Sequence, residues 1–389
     1  MAGLTGIPSM MRAMVLNGHG GPEQLEYRDD WPVPEPGRGE VLVRVTATAK
    51  NNTDRKAREG LYPTGNSDNE VTSFHMGGEP RLTFPRIQGA DVAGRVVAVG
   101  EEVDPSRLGE RGLLDFNLYP DERRDINVAP DYYGHGADGG FAEYIAVPSD
   151  QFHRIDNPEL SDAEVASLGM CSYQTAYHML TTARVKAGER VLVTGASGGV
   201  GTALIQLCRI LGAIPYAYST ADKAEALKKL GAEAVLDRNE SGNLSDRVKT
   251  LTGGMPIDAV MDLVGGAMTD SFIDTMIFDM ALRADLPRLS IAGASGGNVS
   301  RILWTRIYLY QVQLYGVSHG TRQEAEQLIE WIRSGALRPV LHDAFPLSRL
   351  HRAERYFVDR SSDYLGKIVI VPDSQWAEHG APWSLEARK

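Results

Sequence analysis

Residues 191–212, VLVTGASGGVGTALIQLCRILG, most strongly constrain what this chain can fold into. Residues 191–193 are Val, Leu and Val, an apolar run typical of a parallel strand buried on both faces. Apolar residues then recur at helical spacing over 204–211. Between them, the glycine-rich segment 195–201 predicts a tight turn whose backbone approaches a phosphate at the start of a helix. This succession predicts a doubly wound parallel sheet that binds a dinucleotide.

The same turn admits a second interpretation, because residues 195–199 match the G-x-S-x-G nucleophile elbow of hydrolases. A second Gly-Ala-Ser-Gly-Gly occurs at 293–297, after the strand-like run 288–292. A hydrolase active site requires only one nucleophile elbow, whereas two glycine-rich loops can lie on either side of one cofactor. The repeated segment therefore favours dinucleotide binding. The predicted cofactor-binding residues of the two loops are Gly195, Ser197, Gly198, Gly199, Val200, Gly201, Gly293, Ala294 and Ser295.

Length and charge exclude several classes of protein. At 389 residues the chain is long enough for about two to three domains. Its formal net charge of −11 argues against a nucleic-acid partner or an anionic membrane. No apolar window approaches the roughly 18 residues that span a bilayer, and the first residues lack the apolar core of a signal peptide, so we expect a cytoplasmic protein. With only Cys171 and Cys208, a disulfide framework is excluded.

The pattern of predicted strands and helices changes twice along the chain. The first 150 residues are rich in short strands separated by Gly and Pro, with no repeat of crossover helices. From about residue 156 strands and helices alternate, and after Pro339 one further strand is predicted at 367–371. We therefore predict a β-rich domain formed by 1–155 and 339–389, with a dinucleotide-binding domain inserted at 156–338.

Several short motifs follow one another in a recognisable order, at 89–95, 139–144, 195–201, 262–266 and 366–369. Together they resemble the medium-chain dehydrogenase/reductase superfamily, over roughly residues 12–372. The resemblance implies an α/β chain in which a GroES-like β-rich domain is joined to a Rossmann domain. It also implies a nicotinamide cofactor, a small-molecule substrate and a homodimer.

The chain departs from the zinc-dependent alcohol dehydrogenases of this superfamily at the metal ligands. By resemblance, Asn51 stands at the first ligand position, Ala90 at the second and Cys171 at the third, while Asp91 keeps the neighbouring acid. One thiolate and one carboxylate fall short of the three protein ligands of a catalytic zinc, and two cysteines cannot form a four-cysteine structural site. We therefore expect no metal.

The remaining resemblance is to zinc-free quinone oxidoreductases and enoyl reductases, which add hydride to a double bond conjugated to a carbonyl. That chemistry requires hydrogen-bond donors for the developing enolate rather than a Lewis acid. Segment 51–63 resembles their substrate-side segment, which implies that Tyr62 protonates the enolate or orients the substrate and that Asn51 polarises the carbonyl. Packing of Tyr62 as an aromatic plug remains the alternative, and Asp54 is expected to hold the loop.

The identity of the cofactor is predicted from the second strand of the Rossmann domain. NAD-specific proteins usually carry an acid at its tip, whereas here the strand ends at Ser219 and Lys223 follows at the start of the next helix. Arg238, after the third strand, can close the same pocket, so Ser219, Lys223 and Arg238 predict the 2′-phosphate of NADPH. Solvation of both cations is the alternative. Thr175 and Lys367 complete the predicted cofactor-binding residues.

Two other functions stay open beside the zinc-independent NADPH-dependent reductase. One is an alcohol dehydrogenase with an atypical metal site, and the other is an NADPH-binding protein without turnover. Segment 64–86 is expected to line the active site. Arg58, Arg81 and Arg86 either meet a coenzyme A phosphate or are solvated.

Overall fold

A computed structural model describes residues 6–62, 82–119, 131–359 and 363–379. The chain divides into two compact units. The first comprises Met1–Cys171, Thr321–Ser361 and Lys367–Lys389, and the second comprises Ser172–Gly320 and Ser362–Gly366. The predicted inserted domain, 156–338, is longer at both ends than the segment Ser172–Gly320, because two helices flanking this segment belong to the first unit.

The first unit is built on antiparallel β-structure. A seven-stranded sheet has the order β10-β6-β5-β3-β18-β17, with β9 also paired to β3, and a three-stranded sheet has the order β2-β1-β4. The strands are β1 (Met10–Leu16), β2 (Leu25–Pro32), β3 (Glu40–Ala49), β4 (Arg86–Ile87), β5 (Asp91–Val99), β6 (Arg111–Leu114), β7 (Asn117–Leu118), β8 (Asp131–Tyr132), β9 (Tyr144–Pro148), β10 (Phe152–Arg154), β17 (Leu341–Pro346) and β18 (Lys367–Val371). Valines at alternate positions of β3 pack with those of β5, which explains why a β-branched run forms the centre of this sheet.

Five helices of the first unit are α1 (Asn52–Glu59), α2 (Asp162–Ser167), α9 (Arg322–Arg333), α10 (Leu350–Asp359) and α11 (Asp373–His379). Helix α1 lies among the strands of the first 150 residues, where the sequence pattern indicated strands and no repeat of crossover helices. The backbone N–H of Asn51 donates to the Asp54 carboxylate at 2.7 Å, which satisfies one free group at the helix start, and Gly60 ends the helix with a φ of 66°. Helix α11 begins at Asp373, and residues 380–389 lie outside the described part.

The second unit is a parallel sheet with the order β13-β12-β11-β14-β15-β16. Its strands are β11 (Arg190–Thr194), β12 (Ile214–Ser219), β13 (Ala234–Asp237), β14 (Ala259–Asp262), β15 (Arg288–Ile291) and β16 (Gln313–Gly316). Its helices are α3 (Met170–Thr182), which begins in the first unit, α4 (Gly199–Ile210), α5 (Ala224–Leu230), α6 (Leu244–Thr252), α7 (Thr269–Ile277) and α8 (Trp304–Leu309). The predicted doubly wound sheet is confirmed, and strand order reverses between β11 and β14, where such sheets bind ligands.

Among the residues that the structure describes, no helix is both long enough and apolar enough to cross a membrane.

Candidate functional site

Three of the four glycines in residues 195–201, which connect β11 to the first turn of α4, differ in what surrounds them. Gly195 has a φ of +57°, which favours a residue without a Cβ. A Cβ on Gly201 would lie 2.4 Å from the Gly195 carbonyl oxygen, so the helix packs against the turn at a distance that only glycine permits. Gly198 is the N-cap of α4, no side chain caps it, and a Cβ there would meet only the Gly195 oxygen at 3.6 Å. The backbone at the helix start is therefore open to an anion.

A second loop, 262–266, is fastened to this turn. The Thr194 hydroxyl at the end of β11 donates to the buried Asp262 carboxylate at 2.7 Å and accepts from the Leu263 N–H at 2.8 Å. The same carboxylate accepts from the N–H groups of Val264 and Gly265 at 2.9 and 3.1 Å. The motif at 262–266 is visible in the sequence. Its contact with the turn is not, because Thr194 and Asp262 are 68 residues apart.

The third loop, 293–297, packs on the second rather than directly on the turn. The Gly296 N–H donates to the Val264 carbonyl at 2.7 Å, and the Ser295 hydroxyl donates to the Leu263 carbonyl at 3.0 Å. A Cβ on Gly293 would lie 2.7 Å from the Leu263 oxygen, which explains the glycine. The two Gly-Ala-Ser-Gly-Gly segments thus follow β11 and β15, with the loop after β14 between them.

One residue at the turn was missed. The Gly366 N–H donates to the Ser197 carbonyl at 2.8 Å, and Gly366 forms a parallel bridge with Gly198. From the sequence, the motif at 366–369 predicts only the beginning of a strand of the β-rich domain, and no local signal indicates that its first residue contacts the turn.

The predicted 2′-phosphate residues lie at the tips of β12 and β13. The Arg238 N–H donates to the Ser219 carbonyl at 2.7 Å, so these two residues are neighbours, and the Arg238 side chain is exposed. Lys223 is half-buried and ends the short turn of helix that begins one residue after Thr220. Thr175 is half-buried within α3. No acid stands at the tip of β12, as the sequence showed.

In the first unit, Asn51, Asp91 and Lys367 form a buried polar cluster. Asn51 follows the end of β3, where Asp91 of β5 is paired with Ala49 and where β18 approaches from the other side. The Asn51 amide donates to Asp91 at 2.8 Å and to the Ala49 carbonyl at 3.2 Å, and the Lys367 ammonium donates to the Asn51 oxygen and, at 3.1 Å, to Asp91. Both protons of the amide are therefore engaged, and the ammonium of Lys367 belongs to this cluster.

This cluster does not fit a divalent metal. Ala90 offers no donor atom, and the Lys367 ammonium already supplies a cation to Asp91. The Cys171 N–H donates to Asp91 at 2.8 Å, while burial, reinforced by the Asp91 charge, raises the pKa of the Cys171 thiol well above its usual range and keeps it protonated. Within the described ranges, no three His, Cys, Asp or Glu side chains are grouped to hold a metal ion.

Tyr62 lies at the end of a row of three hydrogen-bonded hydroxyl groups, those of Tyr62, Thr53 and Tyr132. Its hydroxyl donates to the Thr53 oxygen at 3.2 Å, and Thr53 shares a second hydrogen bond with the Tyr132 hydroxyl at 2.8 Å. Burial raises the pKa of Tyr62 to about 12, so the phenol keeps its proton at neutral pH. The ammonium of Lys56 lies 5.6 Å from the centre of the ring.

A second group of buried charged side chains lies next to α1 and includes Arg58 of that helix. Glu354 receives Lys50 at 2.6 Å and Arg58 at 2.8 Å, and all three side chains are at most 2% exposed. Arg58 is therefore a structural ion-pair residue, which corrects both of its predicted roles. Arg86 pairs with Asp138 at 3.1 Å, and Arg81, with most of segment 64–86, lies outside the described residues.

Asp54 lies in the same region and holds the start of α1, as expected. Burial raises its pKa to about 6, although the charge of Lys50 and the N–H of Asn51 oppose this.

Comparison with known proteins agrees with the two units. Residues 37–157 match the alcohol dehydrogenase GroES-like domain, and residues 199–334 match the family described as zinc-binding dehydrogenase. The crystal structure of a candidate alcohol dehydrogenase from Sinorhizobium meliloti 1021 is 43% identical, covers 95% of this chain and 99% of its own, and superposes with a TM-score of 0.88.

Curated relatives carry two kinds of name. A quinone oxidoreductase of Lama guanicoe is 28% identical over 93% of this chain and 98% of its own length. An NAD-dependent alcohol dehydrogenase of Sulfolobus acidocaldarius is 26% identical over 88% of this chain and 95% of its own length. The chain belongs to the medium-chain dehydrogenase/reductase superfamily, and it is an oxidoreductase that binds a nicotinamide cofactor.

Proposed function

We propose that this protein is a zinc-independent, NADPH-dependent reductase that transfers hydride to an α,β-unsaturated carbonyl compound such as a quinone, an enone or an enoyl thioester. The observation that carries the proposal is the Lys367 ammonium, hydrogen-bonded to Asn51 and Asp91 at the position where the metal-dependent relatives are expected to bind zinc. The Lys367 ammonium lies where a metal ion would have to bind, and it already pairs with Asp91, the carboxylate that a metal would need as a ligand.

On the cofactor side, the residues have separate tasks. A bound nicotinamide dinucleotide supplies the hydride. The open helix start at Gly198 binds the diphosphate through backbone N–H groups, and the close contact at Gly201 keeps the helix aimed at it. Lys223 and Arg238 bind the 2′-phosphate of NADPH, which is consistent with the lack of an acid at the tip of β12.

On the substrate side, hydroxyl groups take the place of a Lewis acid. Hydride addition at the β-carbon places negative charge on the carbonyl oxygen, and Tyr62 donates a hydrogen bond to it. With a pKa of about 12, the phenol is a hydrogen-bond donor throughout the neutral range and yields its proton only to a strongly basic enolate. Since both amide protons of Asn51 are engaged, Asn51 positions Lys367 and Asp91 instead of polarising the carbonyl directly.

The test is consumption of NADPH and NADH by purified protein against a quinone, an enone and an enoyl-CoA, with zinc measured on the same sample. We expect turnover with NADPH and less than stoichiometric zinc. Stoichiometric zinc together with oxidation of alcohols by NAD⁺ would establish the alcohol dehydrogenase instead, in agreement with the name of one relative. Tight NADPH binding without turnover of any substrate would indicate a non-catalytic binding protein.

We also propose a homodimer. Strand β16 is the outer strand of the parallel sheet, and nearby Trp304, Tyr308 and Leu309 are each more than 60% exposed. An open strand edge with large apolar neighbours is costly in water and is covered by pairing with a second copy. Sedimentation should give twice the chain mass of 42.4 kDa, and a monomer would contradict the proposal.

A further inference from the structure

The hydroxyl groups of Tyr62, Thr53 and Tyr132 differ in their exposure. Tyr132 is buried, with 2% of its surface exposed, whereas Thr53 and Tyr62 are half-buried. The row therefore runs from the interior of the first unit toward its surface. The link between Thr53 and Tyr132 is 2.8 Å, shorter than the 3.2 Å link between Tyr62 and Thr53.

The buried end of this row is held firmly. The Tyr132 ring stacks on His135, with centroids 5.0 Å apart and planes at 25°, and it lies against Phe116 at 6.0 Å. His135 is in turn bonded to Asp131 at 2.6 Å. A ring fixed on two sides leaves its hydroxyl little freedom of position, so the Tyr132 oxygen is a fixed point against which Thr53 is oriented.

We infer that Tyr132 is a positioning residue for the reaction, acting through Thr53 on the hydroxyl of Tyr62. The inference rests on the proposed function, in which Tyr62 donates to the substrate oxygen. In the structure, Tyr62 directs its hydroxyl proton inward to Thr53. To serve a substrate, this proton has to turn outward.

The row of hydroxyls makes that turn favourable. When Tyr62 donates outward, Thr53 donates to the Tyr62 oxygen and Tyr132 donates to the Thr53 oxygen, so the number of hydrogen bonds in the row is kept. Only hydroxyl rotations are required, and no covalent bond is broken. Each hydroxyl that donates and accepts polarises the next, so the outward Tyr62 hydroxyl becomes a stronger donor. Without the Tyr132 hydroxyl, Thr53 loses the partner that orients it.

The decisive variant is Tyr132→Phe, with Tyr133→Phe as the matched control. Both tyrosines are buried neighbours, and the change keeps the rings that pack in the interior. With the best substrate of the panel, we expect Tyr132→Phe to lower kcat about three- to tenfold, as loss of one ordinary hydrogen bond does, with little change in KM. In a Tyr62→Phe background the same change should have no further effect, because the group that it positions is gone.

A second readout does not depend on turnover. With tyrosines labelled with ¹³C at Cζ and the Tyr62 signal assigned from Tyr62→Phe, Tyr132→Phe should shift that signal and Tyr133→Phe should not. A shift in a protein that reduces no substrate would refute the reductase while confirming the coupling. An unshifted signal, with kcat equal to that of Tyr133→Phe, would overturn the positioning role and leave the reductase in place.

Thr53 provides the second pair of variants if Tyr132→Phe does not fold. Thr53→Ser keeps the hydroxyl at the centre of the row and should retain the Tyr62 signal and kcat. Thr53→Val keeps the shape and removes the hydroxyl, and it should change both. If Thr53→Ser and Thr53→Val gave the same Tyr62 signal and the same kcat, the positioning of Tyr62 through the Thr53 hydroxyl would be refuted.

Discussion

Replacing Gly201 by Ala tests whether the turn before α4 is built for a diphosphate. The new Cβ would lie 2.4 Å from the Gly195 oxygen and 2.6 and 2.7 Å from two backbone atoms of Ala196, whereas ordinary contact begins at 3.4 Å. The backbone must therefore move by about 1 Å, the difference of these values, because no flexible side chain can give way. Such overpacking costs about 1–3 kcal/mol, against a gain of at most about 1 kcal/mol from helix propensity.

The matched control is Gly198→Ala, three residues earlier in the same turn. Its Cβ would meet only one atom, at 3.6 Å, and its φ of −80° suits alanine, so the free protein should be unaffected. The methyl group would instead stand where the diphosphate approaches. We expect Gly201→Ala to lower Tm by about 2–8 °C in the absence of nucleotide, and Gly198→Ala to leave Tm unchanged.

Nucleotide affinity completes the test. Titration with NADPH, followed by its fluorescence, should show Kd raised at least about tenfold in both variants, as for a diphosphate that loses its backbone contacts. The reasoning is refuted if Gly201→Ala melts at the wild-type temperature. It is equally refuted if Gly198→Ala binds NADPH with unchanged affinity, since the diphosphate then lies elsewhere.

Three further changes test the buried charges and the phosphate pocket. Glu354→Gln removes the carboxylate that the buried cations Lys50 and Arg58 share and should lower the free energy of unfolding by about 3–5 kcal/mol, while exposed Glu225→Gln should leave the urea midpoint unchanged. Because the native pKa of Asp54 is about 6 against an ordinary 3.8, the folded state holds its proton more tightly. Wild-type stability should therefore fall relative to Asp54→Asn as pH rises from about 4 to about 6, and parallel profiles in urea would refute this. Lys223→Ala should raise Kd for NADPH at least about tenfold and leave NADH unchanged, whereas Lys228→Ala, on the next helix, should alter neither.

The glycine turn could be predicted from the sequence because all its determinants are local. A buried strand, four closely spaced glycines and an amphipathic helix lie within residues 190–211, and each can be recognised from its neighbours. The parallel sheet follows from repetition of this pattern. The start of α1 could also have been found, since Asp54 stands three residues after Asn51 in a capping pattern, but the helix is short and follows a long strand.

Contacts between distant segments could not be predicted in this way. Gly366 and Ser197 are separated by most of the Rossmann unit, and their bond depends on where the chain returns. The sequence predicts Arg58 as either a phosphate ligand or a solvated cation, because its partner, Glu354, is 296 residues away. A single sequence shows the charges but not which of them pair.

The pairing of Asn51 with Lys367 follows from strand register and bears on whether a metal ion could bind at this cluster. Strand β18 runs antiparallel to β3, with Val369 opposite Ala49, and the Lys50 N–H donates to the Ile368 carbonyl at 2.9 Å. Continuing the register from Val369 and Ala49 by two residues places residue 367 opposite residue 51. The amide and the ammonium are therefore a cross-strand pair, and restoring a metal ligand at position 51 alone would leave a buried cation facing the metal. A metal ligand at position 51 of this chain would therefore require a change at position 367 as well, because the Asn51 oxygen and Asp91 both accept from the Lys367 ammonium.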